Sequence, residues 1–307
     1  MISQFLPILV ATLIAGTPLV YAALGELVVE RAGVLNMGVE GMMVIGAVLA
    51  FMVMMATGNL FLAIVAAMLG AMLLALMFAV LAVSFRANQV AVGLALTIFG
   101  TSLGSYLGKS YIGMAIVIEP SQLSALAGKI PLIGKILGQL HPLVWLSWAL
   151  FAGVWYFLHR SRAGLILRAV GEAPTSAHAL GYPVNGIRYV ATLFGGATAG
   201  IAGAYISIIY TSLWTEGLIA GRGWIAVALV VFATWRPVRC FLGAYLFGGA
   251  TIAQLFAQSA GVGLPSELMS ALPYIVTIVV LVLISRNAAL MRLNIPASLG
   301  KPFTADG

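Results

Sequence analysis

Three carboxylates, Glu26, Glu30 and Glu40, stand with Arg31 and Asn36 in the stretch Gly25–Gly46, whose other residues are apolar or glycine. Groups of this kind hydrogen-bond a passing polar solute or, in an ion-coupled carrier, respond to a proton or sodium gradient. A charge at mid-bilayer costs at least about 2.5–3.5 kcal/mol on insertion scales, so intramembrane carboxylates face protein or a wet cavity. Gly33, Gly38 and Gly41 interrupt the helical pattern between them, as expected of irregular backbone that is buried or lines a cavity. Asn36 and Glu40 are therefore candidates for a solute pathway. For Glu26, Glu30 and Arg31 the simpler expectation is a short solvated cytoplasmic loop.

Other polar interruptions are fewer. In Arg86-Ala87-Asn88-Gln89, Asn88 and Gln89 suit either helix capping or the pathway. Tyr205, Tyr210 and Trp214, leading to Glu216, fit an interfacial aromatic belt or, for Tyr210 and Trp214, ring stacking with a solute. Arg222 and Trp224, in Gly221–Trp224, fit a role in solute passage or an external helix start equally well. No GxxxxGK[ST] loop exists: Gly108-Lys109-Ser110 has the ending, but Leu103 stands where the loop needs glycine. There is no GxSxG elbow and no carboxylate pair placed for hydrolysis, so an enzyme is disfavoured. Cys240 alone excludes an internal disulfide, and His141, His159 and His178 show no ligand spacing. No metal or cofactor is expected.

The elements that must position these residues follow from composition. Of 307 residues, 62% are hydrophobic and 7% charged, whereas a soluble domain carries about 25% charged residues. The chain is thus expected to be all-α, a polytopic transmembrane helical bundle with broken helices, in a single transmembrane domain over residues 1–307. Gly41–Phe85 is free of charge for 45 residues, too long for one crossing of about 20 residues, and Thr57-Gly58-Asn59 is the turn where it folds back. About nine spans result, eight to ten being compatible: Phe5–Leu24, Val34–Ala56, Leu60–Val83, Val90–Gly108, Leu143–His159, Val190–Ser212, Gly223–Trp235, Phe241–Gln258 and Leu268–Ser285. A cleavable signal peptide is not expected, because Met1–Leu24 lacks a basic start. Gly196-x-x-x-Gly200 and Ala199-x-x-x-Gly203 read as close helix packing.

The net charge of +7 does not signal nucleic acid, because basic residues fall in small groups between apolar runs. Placing 160–188 in the cytoplasm puts 11 of the 15 basic residues inside, including Arg31, Arg86, Arg236, Arg239, Arg286, Arg292 and Lys301. Lys109, Lys129, Lys135 and Arg222 fall outside, which favours a cytoplasmic C-terminal tail, 286–307. The external connection 109–141 carries the apolar Ile130-Pro131-Leu132-Ile133, suited to the membrane surface or a partner. Within 160–188, Pro174 suits a first helical turn, Gly181 a left-handed stop, and Pro183 prevents continuation. A helix over Pro174–Leu180 is too short to stand alone and must dock, either on its own protein or in a soluble partner's groove.

Four stretches, Glu30–Met42, Phe85–Thr97, Arg168–Tyr182 and Gly221–Val231, resemble the permease subunits of ABC importers in the ribose, branched-chain amino acid and nucleoside group. The similarity is greatest to nucleoside and simple-sugar permeases. The resemblance implies a non-catalytic subunit of the cell's inner (plasma) membrane, paired with a second, often non-identical permease. A cytosolic ABC ATPase and an external solute-binding protein complete the system. It also implies that Gly171, Glu172, Pro174, Ser176, Ala177, His178 and Gly181 belong to a coupling helix received by the ATPase. Ala173, Thr175, Ser176 and His178 depart from the family pattern. The alternatives are a ribose-like or branched-chain amino acid permease, or an ion-coupled secondary transporter.

Overall fold

In a computed structural model the chain forms a helical bundle, described for residues 2–118, 122–130, 134–259, 265–284 and 294–304. Pro131–Ile133, Arg286 and Arg292, cited above, lie outside these residues. Among the described residues there is no β-strand, only one bridge between Ala115 and Leu213. Seven helices among the described residues are long and apolar enough to cross a membrane, and two shorter apolar ones, Arg222–Phe232 and Leu268–Val279, stand at the other two expected places.

Helix α1 (Ile2–Arg31) runs past the Leu24 end expected of the first span. Glu26, Glu30 and Arg31 thus extend a helix, and the solvated loop is not formed; both carboxylates are buried. The expectation failed because neighbouring helices supply partners that local sequence does not reveal. Residues 32–38 leave the helix, with Gly33 at φ +85°, and α2 (Val39–Thr57) starts five residues later than expected. The turn at Thr57-Gly58-Asn59 forms as read. Gly58 adopts φ +64°, and the Asn59 side chain accepts from the Leu62 N–H to open α3 (Leu60–Ala79). A π-helical turn, Val80–Ser84, closes that span.

Asn88 Oδ1 accepts from Ala91 N–H at 3.0 Å and caps α4 (Gln89–Gly108). Two short helices, α5 (Gln122–Ala127) and α6 (Gly134–Leu137), lie in the long connection. His141 Nδ1 accepts from Leu143 N–H at 3.2 Å and opens α7 (Pro142–Arg160). Then come α8 (Arg162–Glu172), α9 (Pro174–Ala179) and α10 (Val184–Ala204), the last continued by a π-helical stretch, Tyr205–Tyr210. The chain ends with α11 (Arg222–Phe232), α12 (Pro237–Ser259) and α13 (Ser266–Ile284).

Helix α10 occupies the centre, packed on α1, α2 and α3. Lipid supplies no hydrophobic drive between helices, so small residues must let backbones approach. A Cβ on Gly203 would run into the Met43 carbonyl, and one on Gly200 into the Ala67 carbonyl. The small-residue motifs of α10 therefore serve packing, as read. Because α10 begins at Val184, Arg188 is a buried helical residue, 1% exposed, and not part of a solvated loop. The outward faces of α3 and α4 stay apolar, with Phe61, Leu69 and Ile98 exposed, as a lipid-facing surface requires.

Candidate functional site

Two helix breaks meet inside the bundle. In the first, after Arg31, the chain turns back beside α1. Asn36 N–H donates to Glu26 Oε1 at 3.1 Å, and Asn36 Oδ1 accepts from Gly38 N–H at 3.0 Å. Gln89 Oε1 accepts from Leu35 N–H at 2.7 Å, which ties the start of α4 to the break.

The second break follows α10. Ser212 and Ala220 adopt positive φ, as does Gly221, and the chain re-enters the bundle before α11. Glu40, on the first turn of α2, accepts from Gly221 N–H at 2.8 Å through Oε1 and from Gly223 N–H at 2.6 Å through Oε2. The carboxylate thereby satisfies orphan donors at the positive end of α11. Two hydrogen bonds to a charged acceptor contribute about 1.5–3 kcal/mol each, enough to offset the roughly 2.5–3.5 kcal/mol of placing it there. Gly223 is required by closeness, since a Cβ would come within 2.6 Å of the Glu40 backbone.

The far end of α11 meets the end of α1. Trp235 donates from Nε1 to Glu30, and Arg31 donates to the Trp235 carbonyl at 2.7 Å. With 11 residues, α11 spans about 16 Å, roughly half of a 30 Å hydrocarbon core. Arg222 starts a helix, as its sequence suggested, but about half a core thickness from the Arg31 end rather than at the outer rim. It lies at the inner tip of a re-entrant loop, over the Tyr210 ring at 5.4 Å and donating to Leu218 O at 3.0 Å. Re-entrant backbone of this kind is tolerated at membrane depth only where protein or a wet cavity surrounds it.

The second cluster lies near the Arg31 end. Pro174 opens α9, and Gly181 takes φ +85° to stop it. Ser176 and His178 are exposed, and Leu180 is 77% exposed. Ala177 and Gly171, grouped with them on sequence, face the other way. Ala177 packs with Val170, Val184 and Phe303, while Gly171 lies against the Arg31 carbonyl. The outward face is Thr175, Ser176, His178 and Leu180, beside exposed Glu172.

A match to the family described as branched-chain amino acid transport system / permease component covers residues 8–281. The chain belongs to this permease family. It is 40% identical to the putative glucose ABC transporter permease protein of Haloferax volcanii, over 96% of this chain and 97% of the relative. It is 33% identical to the guanosine ABC transporter permease protein of Bacillus subtilis, over 98% of each chain. It is 32% identical to the nucleoside ABC transporter permease protein of Lactococcus lactis, over 91% and 92%. No solved structure gives a significant match. The permease is a multi-pass protein of the plasma membrane.

Of the pathway candidates in the permease, Asn36, Glu40 and Gln89 converge on the breaks, and Tyr210 joins them through Arg222. Trp214 sits farther out, buried beside Phe51 with ring centroids 5.9 Å apart. Asn88 is an exposed cap and stands apart. An apolar groove of about 1130 Å³, lined by Tyr21, Leu150, Phe157, Ile187 and Phe194, contains none of these polar residues. Sequence reasoning missed Gly221 and Gly223 as partners of Glu40. The signal was two glycines flanking an arginine at the head of a half-length apolar run.

Proposed function

We propose that this permease is the membrane subunit of an ATP-driven importer for nucleosides or simple sugars, fuelled by a partner ATPase. The observation that carries this reading is α9: a capped, outward-facing short helix at the end of the bundle rich in basic residues. A six-residue helix is not stable alone, and beside it Leu180 is 77% exposed. A groove in a soluble partner covers such a face. The charge bias puts that face in the cytoplasm, where an ABC ATPase resides. The printed names of the glucose, guanosine and nucleoside relatives support the substrate class.

ATP-driven closure of the partner would move α9 and α8, and the bundle would switch its open side. A second permease subunit would complete the pathway, and an external binding protein would deliver solute. The permease itself needs only different affinities for solute in its two states, since a ligand shifts an equilibrium by that difference alone.

The test is reconstitution of this chain in liposomes with a second permease and an ATPase, the binding protein outside. Uptake of labelled guanosine or glucose, competed by one of them and not by leucine, is expected only with ATP inside. Accumulation without the ATPase, driven by a proton or sodium gradient, would overturn the reading. In the same system Leu180→Asp is expected to release the ATPase while leaving membrane insertion intact.

A further inference from the structure

The tail 294–304 folds back under the bundle and touches both clusters. Ser298 donates to the Gly171 carbonyl twice, from its backbone N at 3.0 Å and from Oγ at 2.7 Å. That carbonyl belongs to the last turn of α8 and has no helical partner of its own. Ala297 N–H donates to Glu172 at 3.3 Å. Phe303, 7% exposed, packs against Ala177 and presents an edge contact to His178 at 5.5 Å. The inner side of α9 thus rests on the tail.

The same segment is bonded to the first break. Gly300 N–H donates to Gly33 O at 3.3 Å, and Arg31 Nη1 donates to Asn294 O at 3.1 Å. Ile295 and Leu299 pack into the main core. The segment is stiffened by its own turns, Leu299 N–H to Pro296 O and Lys301 N–H to Ser298 O, both 3.0 Å. Buried Arg188 stitches the parts together, donating to Ala32 O at 3.3 Å, Ser298 Oγ at 3.1 Å and Lys301 O at 3.1 Å. Gly171 touches Arg31 directly, yet the hydrogen bonds between elbow and break run through the tail and Arg188.

We propose that residues 294–304 are the link through which the α8–α9 elbow acts on the break between α1 and α2. This rests on the reading of α9 as the face that meets the ATPase. A displaced α9 carries Phe303 and Ser298 with it, and the tail pulls on Gly33 and Ala32 through Gly300 and Arg188. The break leads directly to Asn36 and Glu40, so the motion reaches the pathway residues without passing along a transmembrane helix.

The experiment uses the full reconstituted complex with Phe303→Ala and, as the milder variant, Ser298→Ala. Three quantities are read: ATPase co-purified with the permease, ATP hydrolysed, and solute taken up per ATP. The expected result is retained assembly and hydrolysis with uptake per ATP lowered about fivefold or more in Phe303→Ala, the lower end of usual coupling strengths. Ser298→Ala should lower it less. Unchanged uptake per ATP in both variants would overturn the link. So would loss of the ATPase from both, which would make the tail a support of the docking face only. If the unsubstituted complex accumulates solute without ATP, the proposed function fails instead, and the two failures are thereby distinct.

Discussion

The two helix breaks solve one physical problem in opposite ways. At the second, Glu40 gives both oxygens to backbone N–H donors of Gly221 and Gly223, and α11 starts with its orphan donors satisfied. At the first, Glu26 Oε2, Glu30 Oε1 and Gln89 Nε2 are buried without a hydrogen-bond partner among the described residues. Buried polar groups are normally paired, and each exception needs an explanation. At the Glu40 end the second break is a fixed joint, although Trp214 Nε1 farther along it is also buried without a partner among the described residues. The first retains unused polar capacity beside the backbone on which the proposed link acts, where the tail and Arg188 also attach.

This contrast is open to attack by substitution. The largest effect is expected from Glu40→Leu, which orphans two donors at about 1–3 kcal/mol each. Thermal unfolding in detergent should show a loss of about 2–6 kcal/mol, with uptake abolished. Next, Gly223→Ala should destabilise by about 1–3 kcal/mol through overpacking, because its Cβ meets Glu40. Gly217→Ala should cost less: nothing lies within 4 Å of its Cβ, and only its φ of +71° opposes the change. Equal losses at the two glycines would break the picture of a tight joint.

A sharper comparison is Glu26→Gln against Glu40→Gln. Glu26 uses one oxygen, on Asn36 N–H, and its amide analogue keeps that acceptor. A change within about 1 kcal/mol is expected in unfolding, against a larger one for Glu40→Gln, where an NH2 group would face an N–H donor. Identical losses would erase the distinction between the breaks.

A last contrast concerns pH, at a site outside the spans. Burial pushes the His141 imidazole down to about 4 from its ordinary 6.5, and its Nδ1 must stay unprotonated to accept from Leu143. The unfolded chain then binds more protons than the folded one between these values, so stability falls as pH drops from about 6.5 towards 4. Melting temperature against pH should show this decline. In His141→Asn, which caps without titrating, the curve should flatten; an unchanged slope would remove His141 from that account.

How legible all this was depends on the range of the interaction. Thr57-Gly58-Asn59, the Asn88 cap, Pro174 and Gly181 were readable because turns and caps are local: the residue type sets φ or supplies the acceptor within three positions. Charge-free length and basic clustering located the spans for the same reason. Glu40 and Asn36 were suspicious on cost alone, but their partners were not legible. Gly221 is 181 residues from Glu40, and no local rule pairs them. Glu26 and Glu30 read as a loop because burial depends on α10 and α12 arriving from far along the chain. The inward turn of Ala177 likewise depends on Phe303, which approaches from the tail.

By itself, then, the sequence determined that this chain is a bundle of apolar helices, where several of them turn, and that a short helix opened by proline and stopped by glycine interrupts it beside basic residues. Those outcomes follow from hydration cost and backbone sterics, which act residue by residue. Tertiary structure alone decided that Glu40 holds a half-length helix, that Arg188 and the tail bind the elbow to the first break, and which side of α9 faces out. Those outcomes need hydrogen-bond partners brought together by packing, and partner identity is a property of the assembled bundle.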